Sequence, residues 1–141
     1  MKKIMGILML AAVLITAASC CNCGKRSGRT APLGGKDTWQ LTRIEADRVT
    51  PVDDRFTLSF AANGSVAGKG FCNRITGAYE SSAGAGTLAF GTLATTRMMC
   101  LDQAAEDRFV RMLGTIDSYK IFGRTLMLFS ENELKMTFEK R

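Results

Sequence analysis

The chain has 141 residues, 46% hydrophobic and 23% charged, with 14 Gly and only 2 Pro, a profile that fits one globular domain and excludes collagen-like and low-complexity chains. It contains no histidine, which removes Ser-His-Asp and Cys-His hydrolase constellations, His-ligated metal sites and the commonest general base. The net charge of +6 sits at the front: five of the 19 basic residues precede residue 36, leaving 14 basic against 13 acidic side chains in residues 36–141, so the basic stripe that a nucleic-acid reader carries on its fold is missing.

Met1-Lys2-Lys3 followed by the uncharged run from Ile4 to Ala18 has the form of an export signal. Its 15 residues span only about 22 Å as a helix, short of a hydrocarbon core of ~30 Å, which disfavours a permanent membrane span. Ala17-Ala18-Ser19 before Cys20 resembles a bacterial lipobox, so residues 1–19 are expected to be a lipoprotein signal peptide and Cys20 the acylated anchor. Cys21 is an adjacent competitor, and a soluble periplasmic protein cut after small residues is the alternative. Residues 20–35 contain Lys25, Arg26 and Arg29, suited to an anionic lipid surface, together with four glycines and Pro32, and are expected to form a flexible tether. No acidic run follows Cys20, which favours a periplasm-facing attachment in the bacterial cell envelope.

From Thr38 the dominant period is two. Half-buried strands are predicted at Trp39–Ile44, Phe56–Phe60, Ser65–Gly70, Ile75–Tyr79, Thr87–Phe90, Ser118–Phe122, Thr125–Phe129 and Leu134–Phe138, about eight in all. Turns fall at Asn63-Gly64, Gly123-Arg124 and Glu131-Asn132. Between the fifth and sixth strands, Asp102 can cap a helix on which Ala105, Phe109, Met112 and Leu113 share one face; Asp107 and Arg111 are spaced for an ion pair, and Gly114 is a stop signal. Glycines at positions 68, 70 and 77 are expected where strands bend. The predicted fold class is all-β with one helix: a small antiparallel β-barrel of about eight strands with an amphipathic helix packed on it, a sandwich being the alternative.

The segment Gly70-Phe71-Cys72-Asn73-Arg74-Ile75-Thr76-Gly77, followed by Thr95-Thr96-Arg97-Met98-Met99-Cys100 and by Glu106, Phe109 and Leu113, closely resembles the META (HslJ-like) domain family. Trp39-Gln40-Leu41, the stretch Leu58–Gly64 and Leu126-Met127-Leu128 extend the resemblance over residues 38–138, within the 36–141 domain. It implies a lipocalin-like barrel in the bacterial envelope, linked at family level to heat shock and novobiocin resistance, with no catalytic residues and no cofactor. Cys21 and Cys23 lie outside the family pattern.

Cys72 and Cys100 are the only cysteines of the domain; both fall in the family's motif segments, and the export signal places them in an oxidising compartment. They are therefore expected to form a disulfide, with two separate buried thiols or a reactive redox pair as the alternatives. Asn73, Arg74 and Arg97 are the residues of a candidate anion-binding cleft; the competing role for the two arginines is structural hydrogen bonding. A thiolate metal site is disfavoured, and Met98-Met99 is expected to fill core space. The functional expectation is a non-enzymatic, stress- or antibiotic-tolerance-related lipoprotein, attached to a membrane by its lipid and acting on an envelope protein or peptide partner, with a monomeric domain and no metal, cofactor or nucleic acid. The alternative is a carrier of a small apolar ligand in a barrel cavity.

Overall fold

The structure, a computed structural model, describes residues 31–141. The signal peptide, Cys20, Cys21, Cys23 and the basic residues of the tether lie outside the described residues.

Ten strands and one helix occur among the described residues: β1 Thr38–Ile44, β2 Asp47–Arg48, β3 Thr57–Phe60, β4 Ser65–Lys69, β5 Arg74–Ser82, β6 Thr87–Phe90, β7 Ala94–Thr95, α1 Gln103–Leu113, β8 Ser118–Phe122, β9 Thr125–Ser130 and β10 Glu133–Lys140. All pairings are antiparallel, in the order β10-β9-β8-β6-β5-β4-β3-β1, and β1 pairs with β10 to close the sheet into a barrel of eight longer strands. The two-residue strands β2 and β7 attach to β1 and β5. The helix follows β7, between the fifth and sixth of the longer strands.

Alternation builds the core: Leu126, Leu128, Met136 and Phe138 point inward and are fully buried, while Met127 and Thr137 between them are half-buried on the outside. Short turns set the register, residues 61–64 joining β3 to β4 and two residues joining β9 to β10. Gly64 (φ +83°) follows Asn63, whose side chain accepts from the Ser65 N–H, and Glu131-Asn132 adopt φ of 52° and 67° to join β9 to β10. In β1 the register against β10 shifts between Leu41 and Arg43, so Thr42 is the extra residue of a bulge.

The helix begins where Asp102 accepts from the Ala105 N–H at 2.9 Å, and Phe109 and Leu113 are buried from it into one end of the barrel. Phe109 meets Phe56 edge-on, with centroids 5.3 Å apart. No Asp107–Arg111 ion pair forms among the described residues; Asp107 accepts instead from Gln103. Arg108 reaches across to Glu45 and Asp47 at 2.6 and 2.8 Å, tying the helix to the β1–β2 hairpin. No helix among the described residues is long and apolar enough to cross a membrane.

The opposite end is closed by residues assigned from sequence to the tether. Leu33 is 3% exposed and belongs to the core, the Gly35 N–H donates to the Phe60 carbonyl, and the Tyr119 hydroxyl donates to the Ala31 carbonyl. A lone leucine among glycines carries no periodicity, so its burial leaves no sequence signal. Burying one leucine contributes about 2 kcal/mol. A chain shortened to begin at Lys36 should therefore unfold at lower urea than one beginning at Ala31, by at least about 2 kcal/mol of stability; coincident unfolding curves would show that Leu33 is dispensable.

Candidate functional site

The motif segments converge beside the helix N-terminus. The loop from Gly70 to Asn73 joins β4 to β5 and the stretch from Thr96 to Leu101 joins β7 to the helix; the Cys72–Cys100 disulfide ties the two, with Cα atoms 5.8 Å apart.

Glu106, 3% exposed, projects between them from the first turn of the helix. Its Oε2 accepts from the backbone N–H groups of Cys72 and Asn73 at 3.0 and 2.9 Å, and its Oε1 accepts from the Asn73 side-chain amide. Asn73 is the reciprocal strut: its Oδ1 accepts from the Thr96 hydroxyl at 2.8 Å and the Met98 N–H at 2.6 Å, and its amide also donates to the Met98 carbonyl. No cation pairs with Glu106 among the described residues; the N–H groups and the helix N-terminus hold its charge. Burial, aided slightly by the Asp107 charge, pushes its pKa up, but the hydrogen bonds from Asn73 and Cys72 outweigh this and hold it below the ordinary value of 4.5. A carboxyl so held does not serve as a proton donor near neutral pH.

Two of the glycines expected where strands bend admit close neighbours. A Cβ on Gly70 would lie 2.9 Å from the Glu106 carboxylate, and one on Gly68 would lie 2.1 Å from the Thr57 carbonyl oxygen.

A groove of about 470 Å³ opens beside this cluster, lined among others by Thr96, Arg97, Met98, Asp107 and Val110. Of the candidate cleft residues, Asn73 and Arg97 line the groove and Arg74 does not. Asn73 is 1% exposed with both ends of its amide engaged, so it holds the loops together and is not free to take a ligand. Arg74 and Arg97 are exposed, and it is the Arg74 backbone that bonds, to the Thr96 hydroxyl.

Met98 and Met99 do not fill the core. They are 58% and 99% exposed, and Leu101 is 99% exposed, because the chain is pinned at Asn73 and Cys100 with these side chains turned outward. No period in Arg97–Leu101 distinguishes an inward from an outward methionine. Cys72, Cys100 and Glu106 place their donor atoms within 4.8 Å of one another, but both sulfurs are bonded in the disulfide and the carboxylate already accepts three N–H groups, so in this state the set does not offer a metal its ligands.

An NMR structure of a protein from Burkholderia xenovorans is 27% identical to this chain, with a TM-score of 0.60 over 77% of this chain and 83% of that one. A second NMR structure, 23% identical with a TM-score of 0.58, covers 73% of this chain and 87% of its own. A crystal structure of a DUF4847 family protein from Bacteroides vulgatus, 15% identical with a TM-score of 0.55 over 77% of this chain and 91% of that one, shares the fold. No curated protein matches the chain. The META domain family model matches residues 31–141, which takes in the barrel, its sealing segment and the cysteine motifs, and the chain belongs to the META domain family.

Proposed function

We propose that the domain is a non-enzymatic binding module of the bacterial cell envelope, anchored by a lipid on Cys20, that serves stress or antibiotic tolerance by engaging protein or peptide segments at the Arg97–Leu101 loop. The observation that carries this reading is the exposure of Met98, Met99 and Leu101 on a loop pinned by the disulfide and by Asn73. Folding gains nothing from displaying three apolar side chains on a rigid support, whereas a contact surface does. Methionine adapts its flexible thioether to varied partners, and Arg97 and Asp107 supply a polar rim to the adjoining groove. A lipocalin-like carrier is the less supported alternative, because Phe60, Phe109, Tyr119 and Phe138, each 1% exposed or less, occupy the barrel core.

A fluorescent, reduced and carboxymethylated protein serves as a generic non-native probe. Its binding, read by anisotropy, should weaken at least about tenfold in Met99→Ser/Leu101→Ser while stability moves by no more than about 0.5 kcal/mol. Unchanged binding in that variant would refute the surface. Attachment is tested separately by mass spectrometry of the membrane-bound protein: an acyl group on Cys21 would move the anchor, and acylation of neither cysteine would remove the lipoprotein part of the reading.

A further inference from the structure

The β1–β2 hairpin separates its charges by face. Ile44 pairs with Asp47 on the side toward the helix, where Asp47 and Glu45 are both taken by Arg108. Arg43 pairs directly with Arg48 on the other side. Two exposed arginines opposite one another repel, and such pairs are normally relieved by a carboxylate. None is left here: neither arginine forms an ion pair with a described residue.

The bulge in β1 completes the arrangement. With Leu41 and Ile44 buried, the extra residue places Thr42 on the outer face next to Arg43, and the opposite neighbour of Arg43 across the sheet is Thr137 of β10. Thr42 spends its proton on the Thr137 carbonyl at 3.1 Å, while the Thr137 hydroxyl has no partner among the described residues. Thr42, Arg43, Arg48 and Thr137 line a hollow of about 340 Å³. Two guanidinium forks and a free hydroxyl donor around one hollow form an oxyanion receptor, and bulges recur where a sheet re-aims side chains toward a ligand. From this geometry we infer that the outer face of the β1 bulge binds a phosphate group, carried either by a small phosphomonoester or by an anionic lipid headgroup. The site is on a different face from the Arg97–Leu101 loop and does not depend on the function proposed there.

The test is a titration of the full chain, followed by NMR at constant ionic strength, with inorganic phosphate and glycerol 3-phosphate, and with chloride as the control. A second arm measures co-sedimentation with phosphatidylglycerol vesicles against phosphatidylcholine vesicles. Saturable shifts confined to Arg43, Arg48 and Thr137 with either phosphate identify a soluble ligand, and co-sedimentation with phosphatidylglycerol but not phosphatidylcholine that falls in Arg43→Gln/Arg48→Gln, whose basic tether is intact, identifies a headgroup. In either case Arg43→Gln/Arg48→Gln should weaken binding at least about tenfold. Arg48→Gln alone should raise the melting temperature by about 1–4 °C in the absence of phosphate, because it relieves the repulsion, and should remove the stabilisation that phosphate gives the wild type. Shifts matched by chloride, binding unchanged in the double variant, no response in either arm, or a lower melting temperature in Arg48→Gln would overturn the site.

Discussion

Glu106→Ala is expected to lower the stability of the domain by about 3–5 kcal/mol, because it strands the backbone N–H groups of Cys72 and Asn73 where water does not readily replace the lost acceptor. Glu106→Gln separates charge from shape. Its carbonyl can accept from the two backbone groups, but its amide then faces the Asn73 amide, donor against donor, and Asn73 cannot flip because its Oδ1 is held by Thr96 and Met98. A loss of about 1–3 kcal/mol follows. The two forms also differ in acid. With the folded pKa of Glu106 held below its ordinary 4.5, its contribution is fully present above that value and is lost as pH falls through the folded pKa. Urea midpoints measured from pH 7 to pH 3 should therefore fall more steeply for the wild type than for Glu106→Gln, bringing the two curves together. Curves that stay parallel would show that the carboxylate charge has no part in holding the loops.

Loss of the Cys72–Cys100 bond should be comparably large. The sulfurs are separated by 28 positions, and freeing that loop costs about 3.6 kcal/mol on the chain-entropy model. At roughly 4–8 °C per kcal/mol, a reductant should lower the melting temperature by more than about 10 °C. The bridge also holds Cys100 next to Glu106, with its sulfur 3.3 Å from Oε2. Loosening the loop therefore weakens the carboxylate cluster, and combining Cys72→Ala/Cys100→Ala with Glu106→Ala should cost less than the two effects added. Strict additivity would mean that the two devices act independently.

The eight longer strands and the helix are legible from their periods: Met136 and Phe138 alternate along β10, and Ala105, Phe109, Met112 and Leu113 recur at helical spacing, while Leu134, which continues the alternation in sequence, is 40% exposed because the register shifts between it and Met136. Strands β2 and β7 are too short to display any period. Glu106 left a faint signal, three residues before Phe109 and seven before Leu113 on the buried face, a place where an acid needs a partner. Asn73 was legible as important and not as a strut, since nothing in Cys-Asn-Arg says which of its residues turns inward. The arginine pair at positions 43 and 48 depends on a bulge and a two-residue strand, neither of which local pattern reveals.

The pairing of β1 with β10 joins residues about a hundred positions apart, from Trp39 opposite Lys140 to Ile44 opposite Met136. During synthesis β1 can meet β3 early, but one edge of β1 stays bare until residues 133–140 have been made. No partial chain ending before Glu133 can close the barrel, and each such chain presents open strand edges on which copies can pair. Nucleation near the front of the chain cannot finish the fold, so completion is set by a non-local encounter on the millisecond-to-second scale of β-barrels. The same closure that covers the second edge of β1 thus holds the growing polypeptide in an unfinished state until its last strand arrives.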